Sequence, residues 1–159
     1  MSRRRPRSPS GKRDLALAKQ DQVRATGGCL CGAIRYTVRG PLRGVILCHC
    51  GQCRRWHGHL GAYTSAARAH VTLEDAEALV WFASSERGRR GFCASCGSSL
   101  FFEAIGEARL AIAAGSLDQP SGLEVIAHEY VVDKADYVRI DDDLPADTGD
   151  FRAPGTERP

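Results

Sequence analysis

Seven cysteines fall into three groups: Cys29-x-Cys31, Cys48-x-Cys50-x2-Cys53 and Cys93-x2-Cys96. Zinc takes four ligands in a tetrahedron, and thiolate is a favoured one. A Cys-x2-Cys turn lets two sulfurs converge on one ion while backbone amides face them. A Cys-x-Cys pair in extended chain puts both sulfurs on one side, because side chains alternate. Two such pairs, one from each end of the domain, can close a four-thiolate site. The middle group behaves differently. Its three sulfurs, Cys48, Cys50 and Cys53, lie close enough in the chain to meet one ion unaided. They leave a fourth position for water or substrate, as in catalytic zinc sites. Three thiolates on Zn²⁺ carry a net charge of −1 and make a weak Lewis acid, suited to holding and exchanging a thiolate. Two zinc ions per chain are therefore expected.

Other uses of the cysteines fit less well. The count is odd and no secretory signal is visible, which argues against a disulfide framework. Packing alone gives no reason for the recurrent short spacing, and none of the common iron–sulfur runs is present. His57 and His59 are the near candidates to close the second site, whereas His49, between two ligands, should point away. His49, His57, His59 or Arg54 are placed to move protons or steady an alkoxide. Arg54 and Arg55 also read as solvated charges, and Ser116 and Asp118 as turn residues.

The elements that carry these groups read as short strands. Ile34, Tyr36 and Val38 alternate with Arg35, Thr37 and Arg39, a period of two that marks a half-buried strand. Val45–Leu47 is a short apolar run leading into the middle cysteines. Leu60–Ser65, Val71–Leu73, Leu79–Ala83, Ser99–Ala104, Leu110–Ala113 and Val125–Val132 read the same way. Gly88, Gly91, Gly97, Gly106, Gly115 and Pro120 punctuate them. Asp75–Leu79 is the one helix candidate inside the domain. Many short strands between turn signals predict an all-β domain.

At 159 residues the chain has room for one domain with a core. Residues 1–22 read as a disordered basic tail, 25–145 as the zinc-binding domain, and 146–159 as a flexible C-terminal tail. The net charge is +3, but eight basic side chains sit in the first 25 residues against Asp14 and Asp21. The remainder is mildly acidic and offers no face for a phosphate backbone, so no nucleic-acid partner is expected of the folded part. No apolar run approaches the length of a membrane span, and the arginine-rich start lacks a secretory h-region. The expected location is cytoplasmic.

Four stretches together resemble one family: Gly28-Cys29-Leu30-Cys31-Gly32-Ala33-Ile34-Arg35-Tyr36, Cys48-His49-Cys50-Gly51-Gln52-Cys53-Arg54, Gly91-Phe92-Cys93-Ala94-Ser95-Cys96-Gly97-Ser98-Ser99-Leu100, and Ala114-Gly115-Ser116-Leu117-Asp118. In order and spacing they are similar to the glutathione-dependent formaldehyde-activating enzyme family, which also includes centromere protein V. His128 to Leu144 follows its closing pattern more loosely. The resemblance implies an Mss4-like fold of several coiled antiparallel sheets. It implies a structural zinc on Cys29, Cys31, Cys93 and Cys96, and a second zinc on Cys48, Cys50 and Cys53. It also implies an activity, the joining of glutathione to formaldehyde as S-hydroxymethylglutathione, a carbon–sulfur lyase reaction. Tyr137 stands where many members have Trp, and Trp56-His57 where smaller residues are common, so pocket shape and substrate are open to change.

Three function classes follow. The first is a zinc-dependent carbon–sulfur lyase acting on a small thiol, such as glutathione, and a small aldehyde. The second is a non-catalytic zinc module that mediates protein interaction. The third is a chromatin or nucleic-acid adaptor working through the basic tail. A metal exchangeable with glutathione marks the first, two inert metals the second, and salt-dependent DNA binding lost with residues 1–22 the third.

Overall fold

A computed structural model describes residues 22–151; the expected tails lie largely outside these residues. The all-β reading holds. Among the described residues ten strands form two sheets. The smaller joins β1 (Val23–Gly28), β2 (Arg35–Arg39) and β5 (Val71–Asp75) in the order β1-β2-β5. The larger adds β3 (Val45–Cys48), β4 (Gly61–Ala67), β6 (Leu79–Ser85), β7 (Gly88–Cys93), β8 (Ser99–Ala104), β9 (Arg109–Ala113) and β10 (Val125–Glu129). Its order is β10-β3-β4-β9-β8-β7-β6. Strand pairs are antiparallel except β10 with β3, which run parallel.

The apolar face of Ile34–Val38 is buried as the alternation predicts, with Ile34, Tyr36 and Val38 fully enclosed, but Thr37 on the other face is buried too. They meet Leu100, Phe101, Leu110 and Ile112 of the larger sheet, and this contact is the main core. Tyr36 and Phe101 stand edge to face with ring centroids 5.1 Å apart, a pair worth about 1 kcal/mol beyond its buried area. Because side chains alternate, the next residues along, Phe102 and Ala111, face the other way. There they wall a second, smaller apolar cluster with Cys48, Cys53 and Tyr63.

Three local expectations are corrected. Asp75–Leu79 is not helical: β5 ends at Asp75, a tight turn follows with the Leu79 amide donating to Ala76 O at 2.9 Å, and β6 begins. Pairing claims both ends, Arg35 with Asp75 in one sheet and Leu79 with Cys93 in the other. Residues 88–93 form β7 rather than a glycine-punctuated turn. A Cβ on Gly91 would come within 3.2 Å of Trp81 and Phe101, so the missing side chain makes room for rings from both neighbouring strands. The helix lies instead at α1 (Gly51–His57), directly on the middle cysteines.

The chain also stays on the domain beyond residue 145, through residue 151. The His128 amide donates to Pro145 O, the Asp147 amide to His128 O, and the Tyr130 amide to Gly149 O. Ala146 bridges His128 in parallel. This segment covers the outer side of β10, which would otherwise be a bare sheet edge.

Candidate metal centres

Two turns build the first cluster. Between β1 and β2 the Cys29 amide donates to Ile34 O and the Gly32 amide to Cys29 O. Between β7 and β8 the Cys93 amide donates to Ser98 O and the Gly97 amide to Cys93 O. The Sγ atoms of Cys29, Cys31, Cys93 and Cys96 lie within 4.8 Å of one another. Cys31 stands 3.5 Å from Cys29 and 3.8 Å from Cys93. A metal held at about 2.3 Å by four thiolates sets sulfurs about 3.8 Å apart, so the donor set fits a tetrahedral ion. Ser98 ties the two turns together: its hydroxyl accepts from the Leu30 amide at 3.0 Å and lies 3.2 Å from Cys96 Sγ. That hydroxyl and the amides of Ser98 and Cys31 lower the Cys96 thiol to about 5.

The second cluster sits where β3 passes into α1. Cys48 is the last residue of β3, Cys50 caps the helix, and Cys53 lies in its first turn. The Cys50 sulfur accepts from the Cys53 amide at 3.3 Å. Arg54, Arg55 and His57 occupy the last turn, where cations suit the helix dipole. The three sulfurs lie within 4.8 Å of one another, and among the described residues no histidine or carboxylate oxygen joins them at that distance. Hydrogen bonds from Cys48 and Cys53 push the Cys50 thiol far down, while those from Cys50 and Cys53, with burial, push Cys48 far up. Sulfurs this close do not all ionise on their own, and the set of three donors could hold a cation.

This trio opens on a cavity of about 510 Å³, within the range of small-molecule sites. Strand register sets its walls. Cys48 pairs with Gly61 on one side and Glu129 on the other; Phe102 pairs with Arg90 and Ala111. Glu129 is half-buried and holds its Oε2 under the Phe151 amide at 3.2 Å. Burial raises its pKa, against hydrogen bonds from Phe151 and Cys48 that lower it. Arg43, Asp133, Tyr130 and Asp150 complete the rim. Tyr63, pushed up to about 12 by burial, receives a hydrogen bond from Arg90.

The structure brings together all seven cysteines in the expected two sets and separates the histidines from them. The His57 Nε2 is taken by Tyr63 Oη at 2.8 Å, and burial beside Arg90 lowers its pKa. His59 stacks on Tyr137. His49 points away, as expected, with Nε2 2.9 Å from His128 Nδ1, whose other nitrogen faces Asp142. Arg54 and Arg55 do not line the cavity; Arg55 borders an apolar slot with Trp56 and Phe82. Ser116 accepts from Tyr36 Oη at 2.6 Å and Asp118 pairs with Arg35, both near the first cluster. Arg90, Glu129, Tyr63 and Ser98 were not singled out from the sequence. Arg90, a charge in a strand three residues before Cys93, carried the one available signal.

Gly61 sets how closely α1 approaches β4. A Cβ there would stand 3.0 Å from the Tyr63 ring and 3.2 Å from Cys53 Sγ. Gly61→Ala should cost about 1–3 kcal/mol by overpacking and shift Cys53. A fall in Tm of roughly 3–10 °C, read by circular dichroism together with weakened metal retention, is the expected result; an unchanged melt would show slack at this contact.

Comparison with known proteins agrees with this layout. A family model described as glutathione-dependent formaldehyde-activating enzyme matches residues 24–133, a span that contains both clusters. A crystal structure of a Rhodobacter sphaeroides protein superposes with a TM-score of 0.50, covering 59% of this chain and 88% of that one at 23% identity, a likeness of fold.

Proposed function

This chain belongs to the glutathione-dependent formaldehyde-activating enzyme family, and from that premise we propose that it is a zinc-dependent carbon–sulfur lyase. It forms or breaks the S-hydroxymethyl adduct of glutathione with formaldehyde, or of a related small thiol and aldehyde. The observation that carries this reading is the open trio: three sulfurs on a cavity wall with no fourth protein donor among the described residues. Cys29, Cys31, Cys93 and Cys96 hold the structural zinc; Cys48, Cys50 and Cys53 hold the second.

Zinc bound by the trio supplies a cation that lowers a thiol's pKa beside the aldehyde carbon. The protein does the rest. Arg43, with Glu129, Asp133 and Asp150, lines the cavity and complements the carboxylates and ammonium of a peptide thiol. The Glu129 carboxylate, beside Cys48, is placed to take the thiol proton. The sulfur then adds to the carbonyl carbon, the C=O π pair moves to oxygen, and the proton returns there to give the hydroxymethyl group. Phe102 and Tyr130 restrict water at the trio. Reversal of the same steps cleaves the C–S bond. Seven free cysteines and a thiol co-substrate suit a reducing compartment, and we assign the protein to the cytoplasm. No helix among the described residues is long and apolar enough to cross a membrane.

The test is a metal count on the full chain before and after dialysis against glutathione. About two zinc ions per chain should fall to about one, because only the open site offers a thiol a way in. Retention of both ions would end the catalytic reading and leave a closed zinc scaffold.

A further inference from the structure

Arg90 is a buried cation without a carboxylate partner among the described residues. Its residue is 4% exposed, and among the described residues none of the ion pairs involves it. Nη1 donates to Tyr63 Oη at 3.2 Å and Nη2 approaches Gln52 Oε1 at 3.4 Å. Nη2 also stands 3.6 Å from Cys53 Sγ. The guanidinium carbon lies 5.1 Å from the Phe102 ring centre and 5.8 Å from that of Trp56. A guanidinium stays charged at any pH the fold meets. Burying it against neutral dipoles and ring faces alone is costly unless an anion answers it.

The sulfur trio is the group in reach that can become that anion. Three thiolates on a divalent ion sum to −1, and Arg90 supplies the opposite charge at Cys53. We propose that Arg90 is the built-in counter-ion of the second metal centre, a positioning residue that cancels its residual charge and holds Cys53 in place. The inference rests on the reading of Cys48, Cys50 and Cys53 as metal ligands. It adds a consequence: an incoming anionic thiolate meets a neutral centre rather than a negative one. The placement also gives a reason why Arg90, unlike its exposed neighbour Arg89, points into the interior from β7. Its guanidinium reaches a hydroxyl, an amide and a sulfur while lying against two aromatic faces.

The test compares zinc affinity at the two centres by chelator competition in the full-length wild type, Arg90→Met and Arg90→Lys. Arg90→Met should weaken the second ion about tenfold or more, the range seen when outer-shell partners are lost. The ion on Cys29, Cys31, Cys93 and Cys96 should be unaffected. Arg90→Lys, which keeps the charge and loses the fork, should hold the second ion within about threefold of wild type by the same reasoning. Wild-type affinity in Arg90→Met overturns the proposal. If Arg90→Met does not fold, Arg90→Lys decides: retention supports a charge role, and a loss of tenfold or more overturns it in favour of packing. A wild-type chain that binds only one zinc would instead defeat the functional reading beneath it.

Discussion

Cys93→Ser is expected to abolish the cooperative fold. Its sulfur is fully buried in the main core and joins Cys31, on the turn of the smaller sheet, to the turn of the larger one. A bound metal adds its binding energy directly to folding, about 10–16 kcal/mol apparent for structural zinc in small domains. Whole domains of this size are stable by only about 5–15 kcal/mol. Losing one of four thiolates, and leaving a hydroxyl among apolar side chains, should remove most of that margin. Circular dichroism melts and metal analysis of the purified variant would show it: a broad or absent transition with less than one tightly held zinc. A sharp melt near the wild-type Tm would mean that the core of Tyr36, Phe101, Leu110 and Ile112 holds the two sheets together without the cluster.

Cys50→Ser should do the opposite, sparing the fold and removing the chemistry. Cys50 occupies the cap of α1, where its side chain accepts from the Cys53 amide. Serine is among the preferred residues at that position, so the helix start survives with a change of about 1 kcal/mol or less. On the proposed reading, the trio reduced to two sulfurs should no longer hold an ion. Zinc should fall from about two per chain to about one. Exchange between glutathione, formaldehyde and the S-hydroxymethyl adduct, followed by magnetisation transfer in NMR, should slow about a hundredfold or more toward the uncatalysed rate. Unchanged exchange would remove the trio from the mechanism altogether. Because Gly61, Glu129 and Arg90 surround the same sulfurs, their variants report on the centre without touching a ligand.

The contrast between these two substitutions reflects how the chain divides its work. The four-sulfur cluster is built from two turns that lie more than 60 residues apart, and the Ser98 hydroxyl bridges them. The trio is built within one β-to-α transition, from residues that the backbone brings together locally. That difference also governs legibility. The short spacing of Cys48, Cys50 and Cys53 forces their convergence, so the grouping reads directly from the chain. Its helix does not read so easily. Seven residues are too few for a periodic signal, and a cysteine cap is not among the usual markers of a helix start. In Ile34–Arg39 alternation sufficed, since one face is buried and period two has a single interpretation. In Gly88–Cys93 it failed, since the glycines that look like breakers are there to receive rings from strands on either side.

The histidines make the same point. His57 and His59 stand near enough to the trio in the chain to suggest ligands, yet one is held by Tyr63 and the other by Tyr137. Only the path of α1 and the packing of its neighbours decide this. Likewise Glu129 taken singly announces no role, and Arg90 shows in the sequence only as a charge in a strand shortly before Cys93. Glu129 reaches Cys48 because β10 lies parallel to β3, and Arg90 reaches Cys53, 37 residues away, across the sheet.

From the linear order of residues alone came the two sulfur sets, the predominance of short strands, the alternating face that forms the core, and the family to which the chain belongs. Tertiary structure decided which charged groups face the open trio, that the histidines do not, and that the acidic C-terminal stretch through residue 151 covers β10. The physical reason is one of range. Donors a few residues apart meet through local backbone geometry, whereas groups tens of residues apart meet only once strand register and sheet order are set.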